Sequence, residues 1–481
     1  MQWFAVGARA ILGKWVRRRS AGAGALALLG VLGVCAMGNA AAQSAASPAQ
    51  ATASESFWTR DTLTGDWGGL RTALGDKGTD ITLDYVGEGF NVISGGLHRQ
   101  GSYEGRFEFS VDSDLGKAIG WRGATAHVTV FNIHNGGRNV AQNVGSIADP
   151  SNIDALSTTR LYTAWLEQSL WDGRLSIRAG QLAADDEFFT SPTAGNLING
   201  TFGWAGLMSA NMTSGGPAYP LATPGLRFKV QPSEQFAVLA AVFNGDPAGR
   251  NCEDDAQQCD RHGTKFPLGQ GALWMGELQY GVNQSEDAPG KPGIYKLGAW
   301  YSSSRYDDLR YGLDSDDAVV SVSDQTLDRP LAHKGSWGVY GVADQTLWKG
   351  ETSSLSVFLR GGFTPSNRNL VSFYANGGVG IKGLVAGRPN DQLTLGVAYA
   401  KISRDAVAAD RDAGLFGGDP YAVRRDEIVY ELNYTAQITP WWTLQPDLQY
   451  IVRPNGGQNP DNPGTSLNHA FVVGLRTTIK F

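Results

Sequence analysis

The sequence has little cysteine, little charge and, after its first 42 residues, no long apolar run. Three cysteines in 481 residues exclude a disulfide-dense scaffold and a zinc fold built on several cysteines. Charged residues make up 18%, below the quarter or so usual for soluble chains. HExxH, GxSxG and GxxxxGKS are all missing, so the common metalloprotease, hydrolase and phosphate-loop chemistries have no foothold. Glycine is abundant instead, at 63 residues, and aromatics reach 10%. That balance disfavours both disorder and a helical soluble enzyme.

Residues 1–42 contain Arg9, Lys14, Arg17, Arg18 and Arg19 and no acidic residue, and end in the small and apolar run AGAGALALLGVLGVCAMGNAAA. This is the pattern of an export signal peptide, with cleavage expected after Ala42. A permanent anchor is the alternative, disfavoured by the glycines in the run and by Ala40, Ala41 and Ala42 at its end. Removing those five basic residues takes the net charge from −6 to −11, which argues against nucleic acid as a partner. Only Cys252 and Cys259 then remain, in RNCEDDAQQCDRHG. In an exported protein they are expected to form a disulfide that pins a loop. A metal site with His262 is the alternative, but the spacing matches no zinc pattern.

Residues 43–78 are expected to form a short N-terminal periplasmic segment, polar at first, with one or two turns of helix around Leu70 and Leu74 that stop at Gly78. From residue 79 onward the dominant signal has a period of two. In GRFEFSVD, Phe107, Phe109 and Val111 oppose Arg106, Glu108, Ser110 and Asp112; in EIVYELNY, Ile428, Tyr430, Leu432 and Tyr434 oppose Glu427, Glu431 and Asn433. The closing FVVGLRTTIKF sets Phe471, Val473, Leu475, Ile479 and Phe481 against Arg476, Thr478 and Lys480. Such runs begin near 79, 102, 122, 159, 173, 224, 234, 271, 293, 334, 352, 371, 391, 425, 441 and 467. The expected fold is therefore all-β, a transmembrane antiparallel β-barrel of about sixteen strands over residues 79–481.

Connection lengths support the same fold. Short links such as LWDG, QPSE and WKGE alternate with long ones near 134–158, 183–223, 245–270, 304–333, 403–424 and 454–466. Outer-membrane barrels segregate periplasmic turns from outer loops in this way, whereas a soluble β-sandwich or propeller has no reason to. Trp165, Trp171, Trp348, Trp441, Trp442 and Tyr450 lie near predicted strand ends, where interfacial girdles are expected. The outer-membrane lipid is then the solvent of the oily face.

Six scattered histidines suggest no metal site, and the acidic clusters at Asp185–Glu187, Asp254–Asp255 and Asp316–Asp317 fall in predicted loops. The polar faces carry Arg106, Glu108, Arg160, Arg174, Arg178, Arg360, Glu427, Glu431 and Arg476. Charges of mixed sign facing a water-filled lumen act on passing solutes through hydrogen bonds and field. The wall therefore suggests a channel that works without cofactor or energy coupling, not a catalyst.

Three stretches carry a resemblance: GDWGGLRTALGDKGTDITLDYVGE (Gly65 to Glu88), SVDSDLGKAIGWRGATAHVTV (Ser110 to Val130) and TTRLYTAWLEQSLWDGRLSIRAGQLAADDEF (Thr158 to Phe188). Together they resemble the carbohydrate-selective porins of the OprB family. The resemblance implies a monomeric bacterial outer-membrane channel of sixteen strands that admits small sugars by passive diffusion. It also implies that the loops near 134–158 and 183–223 fold inward to form the constriction. Arg160 matches the arginine that opens the RL-three-W-L strand, and Arg106, Glu108 and Arg178 are further candidates for solute contact. A glutamate–arginine pair expected just upstream is replaced by SNIDALSTTR, so Asp154 and Arg138 are the substitutes. That departure leaves open a general porin, a porin for organic acids, or less plausibly a barrel enzyme or adhesin. Phe481 matches the aromatic ending that such barrels present to the barrel assembly machinery, and the last strand is expected to pair with the one near residue 80.

Overall fold

The computed structural model describes residues 56–285, 288–417 and 420–481; the expected leader, residues 1–42, lies outside them. Sixteen long strands among the described residues close into one antiparallel barrel. They are β1 (Thr79–Ser94), β2 (Gly101–Asp114), β3 (Ala124–Asn135), β4 (Thr158–Leu170), β5 (Leu175–Leu182), β6 (Thr223–Val230), β7 (Phe236–Asn244) and β8 (Ala272–Val282). There follow β9 (Gly293–Asp314), β10 (Leu327–Lys349), β11 (Ser354–Phe363), β12 (Val371–Lys382), β13 (Gln392–Ile402), β14 (Glu427–Thr439), β15 (Trp442–Val452) and β16 (Ala470–Lys480). Each strand pairs with its neighbours in sequence, and β16 returns to β1, with Asp84 opposite Lys480 and Val92 opposite Val472. Closure leaves no unpaired strand edge, the condition for crossing a bilayer with strands.

Alternation explains which way each side chain points. On β14, Tyr430 and Leu432 are 43% and 40% exposed on the outer face, whereas Glu427 and Glu431 are 1% exposed on the inner one. Leu278, Leu297, Leu359, Leu395 and Leu475 are likewise exposed on the outside. These residues form the lipid-facing belt.

One end of the seam is clasped by the segment before β1. A helix over Leu70–Asp76 follows a turn in which Leu63 N–H donates to the Lys480 carbonyl at 2.7 Å. Phe481 N–H donates to Leu83 O at 2.8 Å, Arg71 donates to the Phe481 carbonyl, and the Trp441 indole donates to Phe57 O at 2.9 Å.

The lumen departs most from expectation. The inner faces of β7 to β12 are largely apolar: Leu239, Phe243, Leu273, Met275, Trp300, Tyr340, Phe358 and Tyr374 are all buried. They pack against Phe188, Phe189, Leu197, Phe202, Leu207 and Met208 of the connection 183–222, which runs inside the barrel. Gly396 on β13 makes room for it, because a Cβ there would overlap Leu197 and the Phe202 ring. A barrel predicted to be polar inside thus contains a hydrophobic core on one side.

Charged side chains of the wall hold the backbone of the infolded connections. Glu427 accepts from Ile147 N–H at 2.8 Å, Ala148 N–H at 3.0 Å and Asn455 N–H at 2.7 Å. Glu277 accepts from Phe189 N–H at 2.8 Å, and Asp344 from Thr193 N–H at 2.8 Å. Arg360, 1% exposed, donates to the carbonyls of Phe189 at 2.8 Å and Phe202 at 2.7 Å, and more distantly to Thr201 and Gly203. Glu427, Glu431 and Arg360 therefore do not face open water, as the alternation alone suggested; they serve as cleats for loops.

Four further expectations need correction. Residues 304–333 are not one loop, because β9 and β10 continue beyond the belt as a twisted hairpin capped by the three-residue strand Val319–Ser321. Arg174 lies in the exposed turn before β5. Trp441 is not a girdle residue: it is buried, with its ring 5.1 Å from Phe57. Trp165 faces the lumen, for a reason given below.

Glu427→Ala would leave three N–H groups without their acceptor, at about 1–3 kcal/mol for each that stays buried. The barrel should still form, but residues 136–157 should become protease-sensitive and the folded barrel should melt at a lower temperature. Limited proteolysis and heat-modifiable electrophoresis check this; unchanged protease resistance would mean that Glu427 does not hold the loop.

Candidate functional site on the inner barrel wall

On β2 to β6 the infolded connections leave part of the wall open to water. Its chemistry follows from alternation, altered at one point. Between β3 and β4 the register shifts, Thr129 lying opposite Thr163 but Val130 opposite Leu161, so Tyr162 is an inserted residue. This bulge lets Arg160 and Tyr162 point inward above it and Thr163, Trp165 and Glu167 point inward below it. Trp165 accordingly stacks on His127, with centroids 4.8 Å apart. On β5, Gly180 completes the fit, since a Cβ there would overlap Ala164 O and the Trp165 backbone, and its φ is +146°.

Two groups of paired charges occupy the open wall. In the first, Arg106 Nη2 lies 3.0 Å from Glu108 Oε2, and the guanidinium sits 4.6 Å from the Phe131 centroid and 5.3 Å from that of Tyr219. In the second, Glu167 accepts from Arg178 at 2.7 Å and Arg227 at 2.8 Å, while Arg227 Nε reaches Glu187 at 2.7 Å. The Arg178 guanidinium stacks over Trp165 at 3.9 Å. A recess between the wall and the connection is lined by Trp165, Arg178, Asp186, Glu187, Arg227 and Phe243. Glu108 and Asp112 keep 28% and 47% of their side-chain surface, so this strip meets water whereas the cleats do not.

The connection 183–222 supplies the facing side. Asp185 accepts from Tyr219 N–H at 3.0 Å and from the Tyr162 hydroxyl at 3.2 Å. Burial nonetheless pushes its carboxyl up to about 6, the two donors only partly offsetting the lost hydration.

The six predicted pore residues are not brought together. Arg106, Glu108 and Arg178 lie on the open strip. Arg138 is exposed in the outer connection. Asp154 accepts from Asn139 and from Ala141 N–H at 3.1 Å, capping the helix Val140–Val144; burial, with Glu104 and Asp149 nearby, pushes its carboxyl well above the usual range. Arg160, placed at the constriction by resemblance, is 1% exposed, with guanidinium N–H groups donated to backbone carbonyls. Cys252 and Cys259 are bonded, with Cα atoms 5.8 Å apart. The sequence reading missed Arg227, Glu167, Glu187 and Tyr219. Alternation in TPGLRFKV would have exposed Arg227, but nothing local marks Tyr219, whose role depends on the path of a forty-residue connection.

A closed sixteen-stranded barrel with an apolar outer belt and a narrowed, charge-lined lumen is a porin, a diffusion channel of the bacterial outer membrane. The profile of the carbohydrate-selective porin, OprB family matches residues 98–481, and the chain belongs to that family. The DWGG stretch lies before the matched span. Porin B of Pseudomonas aeruginosa is 28% identical over 484 residues, covering 95% of this chain and 97% of its own. The high-pH structure of OprB from Pseudomonas putida superposes with a TM-score of 0.77 at 25% identity, covering 89% of this chain and all of that one. The low-pH structure of the same protein, at 22% identity and a TM-score of 0.53, shares the fold.

Because the raised carboxyl of Asp185 is charged only above about 6, the strip should lose a negative charge as pH falls through that value. Cation preference, measured as reversal potential across a salt gradient, should fall over the same range, and Asp185→Asn should remove that step. An unaltered titration in the variant would place the responsible group elsewhere.

Proposed function

We propose that small carbohydrates cross this porin along the β2–β6 wall, in contact with Arg106, Glu108, Arg178, Glu167, Trp165 and Tyr219. The observation that carries this reading is the pairing of the arginines. Arg106, Arg178 and Arg227 each lie within 3.0 Å of a carboxylate, so the strip offers donors and acceptors side by side without an excess of positive charge. A neutral polyol can use both kinds of group, and its apolar ring face can lie on an aromatic ring.

The pairing also weighs against an organic-acid porin. Three arginines share the strip with Glu108, Glu167, Glu187, Asp112 and Asp185. A carboxylate solute would meet more negative than positive groups there, and a bare anion would have to displace an existing partner to reach an arginine.

Liposomes carrying the purified protein should admit glucose faster than gluconate, a carboxylate of similar size. Trp165→Ala, which removes the ring held between His127 and Arg178 and so frees the Arg178 guanidinium from a stack worth about 1 kcal/mol, should weaken glucose block of single-channel current roughly fivefold. Equal or faster gluconate entry would overturn the sugar-preferring strip.

A further inference from the structure

The outer connection 245–271 bears the disulfide and covers Arg160 at the top of β4. The loop closed by the two cysteines ends in a single turn of helix, Ala256–Cys259, capped by the Asp255 side chain, which accepts from Gln257 N–H at 2.7 Å. Arg160 gathers the carbonyls beneath it, donating to Asp260 O at 2.7 Å, Arg261 O at 3.0 Å and Gln257 O at 3.4 Å. Its other terminal nitrogen donates to Pro220 O at 2.9 Å, on the connection 183–222. The Gln257 side chain in turn accepts from Leu156 N–H at 2.7 Å, on the connection 136–157. One guanidinium and one pinned turn thus join three outer connections.

Tyr219 lies where they meet. Its neighbour Pro220 is held by Arg160, and Leu221 packs with Ala248 and Ala256 against the half-buried Cys252 and Cys259. Its hydroxyl donates to Ile153 O at 2.8 Å, and its ring faces both Arg106 and Phe131, the latter at 5.6 Å between centroids. The ring therefore sits beside the first charge pair of the wall because the residues after it are fixed from above.

We propose that Arg160 and the Cys252–Cys259 loop are positioning elements for the solute path, holding the Tyr219 ring beside Arg106 so that an outer loop sets affinity for sugar within the lumen. Arg160 acts through Pro220 and touches no solute. The disulfide keeps the Ala256–Cys259 turn in the form that both Arg160 and Leu221 require. This rests on the reading of the β2–β6 strip as the sugar path.

The full-length protein in planar bilayers tests both ideas separately, with the half-blocking glucose concentration and the open-channel conductance as readouts. Tyr219→Ala should raise the half-blocking concentration about tenfold, and Arg160→Lys should come close to it. Combining them should add little beyond Tyr219→Ala, because both remove the same contact. Reducing the disulfide of the folded wild-type protein should reproduce the Arg160→Lys effect, which covers the case of a variant that fails to assemble. Open-channel conductance should change by less than about twofold throughout, since the cleats on the far wall are intact. If Tyr219→Ala weakens block but Arg160→Lys and the reduced wild type do not, the positioning proposal is overturned and the sugar path stands. If Tyr219→Ala leaves block unchanged, Tyr219 is no solute contact and the reading of the strip fails with it.

Discussion

A barrel of sixteen strands is too wide to be filled by its own wall, so its constriction must be built from chain folded back inside. That chain arrives with backbone N–H and C=O groups that lose water as they pack. Unlike a strand, it has no ladder to join. Each buried group without a partner costs about 1–3 kcal/mol, enough to expel the loop. The structure meets this constraint with side chains of the wall: carboxylates at Glu277, Asp344, Glu427 and Glu431 accept from loop N–H groups, and Arg360 and Arg160 collect loop carbonyls. The apolar packing of Phe202 or Leu207 adds stability, but the charged cleats fix where each segment lies.

The same residue types therefore do two different things according to what lies against them. On β8 to β14 the charges are covered and belong to the frame. On β2 to β5, Arg106, Glu108, Glu167 and Arg178 remain partly wet and face the solute, while Glu104 and Arg227 are buried beside them. The lumen is eccentric for this reason, with a core of side chains on one side and a polar strip on the other. The bulge at Tyr162 separates the two behaviours within β4, placing Arg160 in the frame and Trp165 with Glu167 in the path.

Most of the barrel was legible because lipid outside and chain inside impose an unbroken period of two, and the strand starts read from that period fall close to the observed ones for all but β10. The outer hairpin of β9 and β10 was missed because beyond the belt both faces meet water and the alternation fades. The infolded core was missed for a different reason. A buried Leu239 or Met275 on an inner face reads as noise in a barrel assumed to be wet, and a carboxylate whose partner is a loop N–H leaves no trace in sequence, since every residue but proline offers that donor. Arg160 shows the limit most clearly: alternation placed it inside, and resemblance suggested solute contact, but only the courses of residues 183–222 and 245–271 show that both its terminal nitrogens are already engaged.

The paired wall charges also bear on how a channel can prefer sugars without trapping them. Conduction requires a solute to bind well enough to enter and weakly enough to leave. A bare arginine or carboxylate would hold its counter-ion and leave solutes a deep well. Arg178 shared with Glu167, and Arg106 with Glu108, offer hydrogen-bonding edges whose strongest electrostatic demand is already met across 2.7–3.0 Å. A sugar hydroxyl arriving there exchanges water for a similar partner, a net gain near or below about 1 kcal/mol per bond. Several such bonds and a stacked ring can distinguish a polyol from other small solutes, yet each can be given up singly as the molecule moves down the wall. The rigidity supplied by the covered charges and the weak, replaceable contacts supplied by the open ones are thus complementary results of a single alternating pattern.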